Sequence, residues 1–229
     1  MQPGVTNENV AVIPVVFFDV DTQRDFIMPD GCLSIKGADR IEPNLFKLSD
    51  YSSTKRVAWF STMDSHVLDD MEISSEPDFK TTFPPHCMNA TAGEERIAAT
   101  FHPNPLVLDM RTRSPVEPWP YIQTHFDSIV FKKNNIDVFS NENLDRVLSC
   151  VKPSVFVVFG VATDFCVKSA VEGLLLRNLK VVLVKDAVYA IDQDVEKFLF
   201  NDWERQGVKL MATEQVTNLN PHEFEDLFK

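Results

Sequence analysis

This chain has no concentration of positive charge: 22 lysines and arginines stand against 34 aspartates and glutamates, a net charge of -12. Nucleic acids and anionic membranes are bound through a basic face, so both are excluded as expected partners. Long apolar runs are missing as well. None approaches the about 20 residues that cross a bilayer, and the opening MQPGVTNENV lacks the basic-then-apolar order of a secretory leader. A cytoplasmic location is the expectation. Cysteine is sparse: the four, Cys32, Cys87, Cys150 and Cys166, are irregularly spaced and form no C-x-x-C pair. That pattern does not make a disulfide scaffold, and reduced thiols are expected. Internal repeats and low-complexity segments are also lacking.

What is present is an ordinary globular composition, 44% hydrophobic and 24% charged over 229 residues, enough to bury a substantial core. Apolar, β-branched runs at 10–21, 55–62, 129–131, 155–159, 180–184 and 208–211 read as strands. Helical spacing of apolar residues marks 38–51, 141–150, 166–178, 192–206 and a terminal 221–228. Strands alternating with helices predict an α/β fold: three layers, an open, mainly parallel six-stranded sheet with helices on both faces, Rossmann-like. The expectation is one domain over 1–229, with an irregular, proline-punctuated insertion at about 63–128 that serves function.

The stretch VFVVFGVATDFCV, residues 155–167, organises the rest. Its apolar run reads as a strand buried on both faces, ended by Gly160; Thr163 and Asp164 offer caps, and Val167, Ala170, Val171, Leu174 and Leu175 follow at helical spacing. Cys166 is thereby predicted in the first turn of a helix just past a central strand. Helix-start amides lower a cysteine pKa and stabilise an oxyanion. A buried, inert cysteine is the competing reading.

Ligands of open α/β sheets bind beyond the carboxyl ends of strands, and Asp21 and Asp64 are also predicted there. Asp21 is either a general base raised by desolvation or a loop cap, and Asp19 and Asp25 have the same options. Asp64 and His66 form D-x-H, and His86 follows in FPPHC; carboxylate with imidazole suits zinc, iron or manganese. Glu72 is a reasonable further ligand, with Asp69, Asp70 and Glu76 in competition. A solvated acidic loop is the plainer alternative. Of Lys132 and Lys133, alternation points one inward, where it would support a thiolate.

Taken in order, D-x-Q-x-D-F at 21–26, D-x-H at 64–66, P-P-H-C at 84–87, K-x-x-x-D-x-F at 133–139 and G-V-A-T-D-x-C-V at 160–167 resemble the isochorismatase-like cysteine hydrolases. Within that family the chain most resembles the nicotinamidase (pyrazinamidase) branch. The resemblance implies a catalytic triad at Asp21, Lys133 and Cys166, and an oxyanion hole from the Ala162 and Cys166 amides behind a cis peptide. It implies one divalent metal ion, zinc, manganese or iron, on Asp64, His66, Glu72 and His86, with Glu72 where histidine is frequent. Phe26 and Phe83 fall where aromatic rings sandwich a pyridine. The implied reaction is hydrolysis of nicotinamide to nicotinate and ammonia through a thioester. Another small amide or carbamoyl substrate, or a non-catalytic binding module, are the alternatives. A small-molecule substrate and further copies of the same chain are the expected partners.

Overall fold

The computed structural model describes residues 14–112 and 128–229. Seven parallel strands make one sheet: β1 (Val15–Val20), β2 (Ala58–Asp64), β3 (Leu106–Asp109), β4 (Ser128–Lys133), β5 (Val155–Val161), β6 (Lys180–Tyr189) and β7 (Lys209–Met211). Their order is β3-β4-β2-β1-β5-β6-β7. The expected α/β architecture is present, but with seven strands rather than six. The strand missing from the sequence reading is β3. Its four residues follow Pro103 and Pro105 and pair only with β4, an edge position where proline nearby is tolerated.

Helices pack around the sheet: α1 (Arg24–Ile27), α2 (Glu42–Lys55), α3 (Glu142–Val151), α4 (Cys166–Leu176), α5 (Gln193–Arg205) and α6 (Thr213–Thr217), with a 3-10 helix at Pro221–Phe228. The segment expected as a helix over 38–51 divides into a 3-10 turn, Ala38–Ile41, and α2, which starts with Pro43 in its first turn. Proline lacks an N–H that the first turn would leave unpaired anyway, so it is well placed to open the α-helix. Among the described residues no helix is long and apolar enough to cross a membrane.

Every residue of β1 is buried. Alternation sends Phe17 and Phe18 to opposite faces. Phe17 stacks on Tyr51 of α2, with ring centroids 5.4 Å apart, and meets the Phe224 ring of the C-terminal 3-10 helix edge-on; Phe18 meets Phe156 of β5. The chain steps from β1 to β2 on one side and returns through β5 on the other. The two connections part above β1 and β5, opening a crevice at their carboxyl ends.

Local devices hold the segments around that crevice. Asn141 caps α3 by accepting from the Asn143 N–H, while its side-chain amide donates to the carbonyls of Leu108 and Lys132 at 2.8 and 2.9 Å. One residue thus fastens the ends of β3 and β4. Asp164 accepts from the N–H groups of Ile191 and Asp192, tying the turn after β5 to the loop entering α5. On α4, Val167, Ala170, Val171 and Leu174 are fully buried. Each of the larger three contributes about 1.5–3 kcal/mol, anchoring the helix that begins at Cys166.

Candidate active site

Four strands deliver one polar side chain each to the crevice. Asp21 follows β1 in a left-handed conformation, φ 48°, which aspartate tolerates better than most residues. Its Oδ1 accepts from the Thr62 hydroxyl at 2.6 Å, and its Oδ2 lies 2.9 Å from Lys133 Nζ. Lys133, the last residue of β4, is completely buried. It also bonds the Asp64 carboxylate, and its Nζ lies 3.5 Å from Cys166 Sγ. Donor atoms of Asp21, Asp64 and Cys166 lie within 4.8 Å of one another.

The ambiguities left by alternation are resolved by partners. Lys132 points away and pairs with Glu94 at 2.7 Å. Asp19 pairs with the buried Arg96 and accepts from the Thr22 hydroxyl. Asp25 is structural: its two oxygens accept the N–H groups of Cys32 and Cys87 at 2.9 and 2.7 Å.

Burial dominates the electrostatics. It pushes the Asp21 carboxyl up, with Lys133 opposing and Asp64 adding to the rise. It would strip the proton from Lys133, but Asp21 and Asp64 outweigh it and hold the ammonium well above its ordinary range. The Cys166 thiol is pushed well up by burial against the pull of Lys133. This corrects the expectation of a depressed thiol at a helix start. Cys166 opens α4 as expected, yet being only 8% exposed it is desolvated, and two carboxylates stand beside it.

Beside this cluster Asp64, His66, Glu72 and His86, all buried, bring donor atoms within 4.8 Å of one another. Nε2 of each histidine lies 3.8 Å from Asp64 Oδ2. Ligands about 2.1 Å from a shared ion stand roughly 3–4 Å apart, so the spacing suits a cation. His86 Nδ1 lies 2.8 Å from the Pro84 carbonyl, which fixes the proton there and leaves Nε2 a free acceptor. Both ring nitrogens of His66 are buried without a completed hydrogen bond. A buried imidazole left in that state is costly, and a cation on Nε2 relieves it. Burial and the Asp64 charge raise Glu72 to about 7. The residues fit a divalent ion. Of the three competing acids, Asp69 and Glu76 are exposed, and Asp70 is half-buried but not among the four grouped donors.

A pocket partly open to solvent joins the two clusters; Asp64, Glu72, His86, Ala162 and Cys166 line it. Phe26 and Phe83 are both on its wall, each within 6.0 Å of the His86 ring centroid. The peptide bond between Val161 and Ala162 is cis. Sequence reasoning missed Leu33, Ile136, Phe165 and Ile191, which complete the apolar wall. Phe165, inside the G-V-A-T-D-x-C-V motif, and Ile136, inside K-x-x-x-D-x-F, lay at unspecified positions of those motifs. It also missed Gln23, whose side chain accepts the Asp64 N–H at 2.7 Å and donates to the Asp64 carbonyl at 2.8 Å. Its place in D-x-Q-x-D-F was the available clue.

Known proteins share this arrangement of chain. The nicotinamidase/pyrazinamidase of Mycobacterium tuberculosis (strain ATCC 25618 / H37Rv) is 25% identical over 206 residues, 85% of this chain and 96% of the relative. The fold is also that of Pyrococcus horikoshii pyrazinamidase in complex with zinc, with TM-score 0.68, 22% identity, and coverage of 86% and 98%. PnC1 from L. infantum in complex with nicotinate superposes with TM-score 0.66 at 20% identity, over 89% of this chain and 96% of that one. Residues 15–215 match the isochorismatase domain. The chain therefore belongs to the isochorismatase family, and within it is most like the nicotinamidases.

Proposed function

We propose that this chain is a metal-dependent cysteine amidohydrolase that converts nicotinamide to nicotinate and ammonia through a thioester. The observation that carries the reading is the position of Lys133 Nζ, 2.9 Å from Asp21 and 3.5 Å from Cys166, the sulfur that lines a cavity walled by Phe26, Phe83 and Phe165. The nicotinamidase likeness and the nicotinate complex of a structural relative support it.

In this reading Phe26 and Phe83 hold the faces of the pyridine ring, gaining from offset or edge contacts. Asp64, His66, Glu72 and His86 would hold a divalent ion, which when bound would supply Lewis acidity at the end of the pocket away from Cys166. The carboxamide is then held against Cys166 with little freedom, which removes much of the entropic barrier. Asp21, ionised and desolvated, takes the thiol proton as sulfur attacks the carbonyl carbon. Lys133 keeps its charge and stabilises the forming thiolate. The new C–S bond drives an electron pair onto oxygen, where the amides of Ala162 and Cys166 act as an oxyanion hole. Collapse breaks the C–N bond, and Asp21 returns its proton to departing ammonia. Water then attacks the thioester with Asp21 as base; the C–S bond breaks, nicotinate leaves and Cys166 regains its proton.

The test is purified protein with nicotinamide, assayed for nicotinate and ammonia with and without chelator. Cys166→Ala should release no ammonia and still bind nicotinamide; appreciable turnover by that variant would end the thioester reading.

A further inference from the structure

Outside the four candidate ligands, one carboxylate is placed to act on them. Asp70 lies four residues past His66, with Oδ2 3.3 Å from His66 Nδ1 and a side chain only 8% exposed. The same oxygen accepts the Val67 N–H at 2.8 Å and the Arg111 guanidinium at 2.6 Å. Oδ1 accepts the Asn134 amide at 2.9 Å. Arg111 uses its other terminal nitrogen on the Ser65 carbonyl at 2.6 Å. An acid that merely closes a loop needs donors from that loop alone. Asp70 draws them from three stretches: its own loop, the segment after β3, and the residue following Lys133.

The two histidines are thus oriented differently. His86 has a backbone carbonyl at Nδ1, while His66 has a carboxylate within reach and no completed bond at either nitrogen. A carboxylate at Nδ1 fixes the tautomer that leaves Nε2 unprotonated and raises its basicity as a ligand.

We propose that Asp70, braced by Arg111, is a positioning residue for the metal site: it accepts the Nδ1 proton of His66 and so aims the Nε2 lone pair at the cation. This rests on the metal-site reading above.

The experiment compares wild type, Asp70→Asn, Asp70→Ala and Arg111→Gln. Each is titrated with Zn²⁺ and Mn²⁺ against a competing chelator, and the visible spectrum of each Co²⁺-loaded protein is recorded. The expected result is metal affinity about 10–100-fold weaker for both Asp70 variants, a smaller loss for Arg111→Gln, and an altered Co²⁺ spectrum. A purely structural Asp70 would lower the melting temperature of the metal-free protein and leave metal Kd and spectrum at wild-type values, which would overturn the proposal. Should Asp70→Ala not fold, the Asn and Gln variants decide by the same two readouts. Failure of the wild type to bind any of these ions would instead remove the metal site itself.

Discussion

Lys133 and the two candidate metal-binding histidines divide the Asp64 carboxylate between them: Oδ1 accepts from Lys133 Nζ, while Oδ2 faces Nε2 of His66 and of His86 at 3.8 Å each. One side chain therefore belongs to both clusters, and a charge change in either is felt by the other. In a buried site such coupling is weakly screened.

Lys133→Met should accordingly damage more than catalysis. It leaves Asp21 and Asp64 facing each other without the ammonium between them, and loss of one partner from a buried pair costs about 3–5 kcal/mol. Turnover should fall by about 10²–10⁴-fold, the range for a group assisting proton transfer. Thermal unfolding and ammonia release measured together check this; a variant as stable as wild type would contradict the buried ion cluster.

The pH profile should carry the mark of Asp21. In the proposed mechanism its base form is the active one, and burial raises its pKa above the ordinary 3.8. Activity is lost as pH falls through that raised value, so the acid limb of kcat/KM should lie above the normal carboxylate range. Asp21→Asn should abolish the limb along with the rate. A limb near an unperturbed carboxylate, about 4, would assign the base elsewhere.

The motifs announced the strand ends because carbonyl-end chemistry needs side chains that core packing does not, and these interrupt the apolar pattern. Asp21, Asp64 and Cys166 stood out for that reason. Lys132 and Lys133 did not separate, since adjacent residues of a strand alternate and only the partner, Glu94 or Asp21, reveals which turned inward. The apolar wall was opaque for a different cause: Leu33, Ile136 and Ile191 sit in loops, where one hydrophobic residue carries no periodicity. The state of the Cys166 thiol was also beyond the sequence. Helix-start stabilisation was legible; desolvation depends on how deeply the neighbours close over sulfur.

Chelation should inactivate and destabilise together. Without a cation, Asp64 and Glu72 remain close, and Glu72 is held protonated up to about pH 7 by burial and its neighbour. A ligand present at a thousandfold excess over its Kd stabilises by about 4 kcal/mol. The melting temperature should drop on chelation and recover with added Zn²⁺ or Mn²⁺, as should nicotinamide turnover. Insensitivity of both would count against a resident metal.

Gly160→Ala should be among the most harmful single-methyl additions. Gly160 has φ +117°, and a Cβ there would run into the Val20 carbonyl of the neighbouring strand. Backbone strain and overpacking each cost about 1–3 kcal/mol, and the damage falls between Asp21 and Ala162. Urea titration should show the loss in midpoint; a wild-type midpoint would mean that β1 and β5 yield more easily than their register implies.

The central sheet also makes activity an all-or-none report on assembly. The proposed reacting groups come from the tips of β1, β2, β4 and the turn after β5, and contacts spanning 33 to 112 residues join them. Contacts so distant in sequence form only once intervening chain has closed its loops. A truncated or half-folded species holds no fraction of the reaction centre, so the first detectable ammonia in a refolding experiment should coincide with completion of the inner four strands.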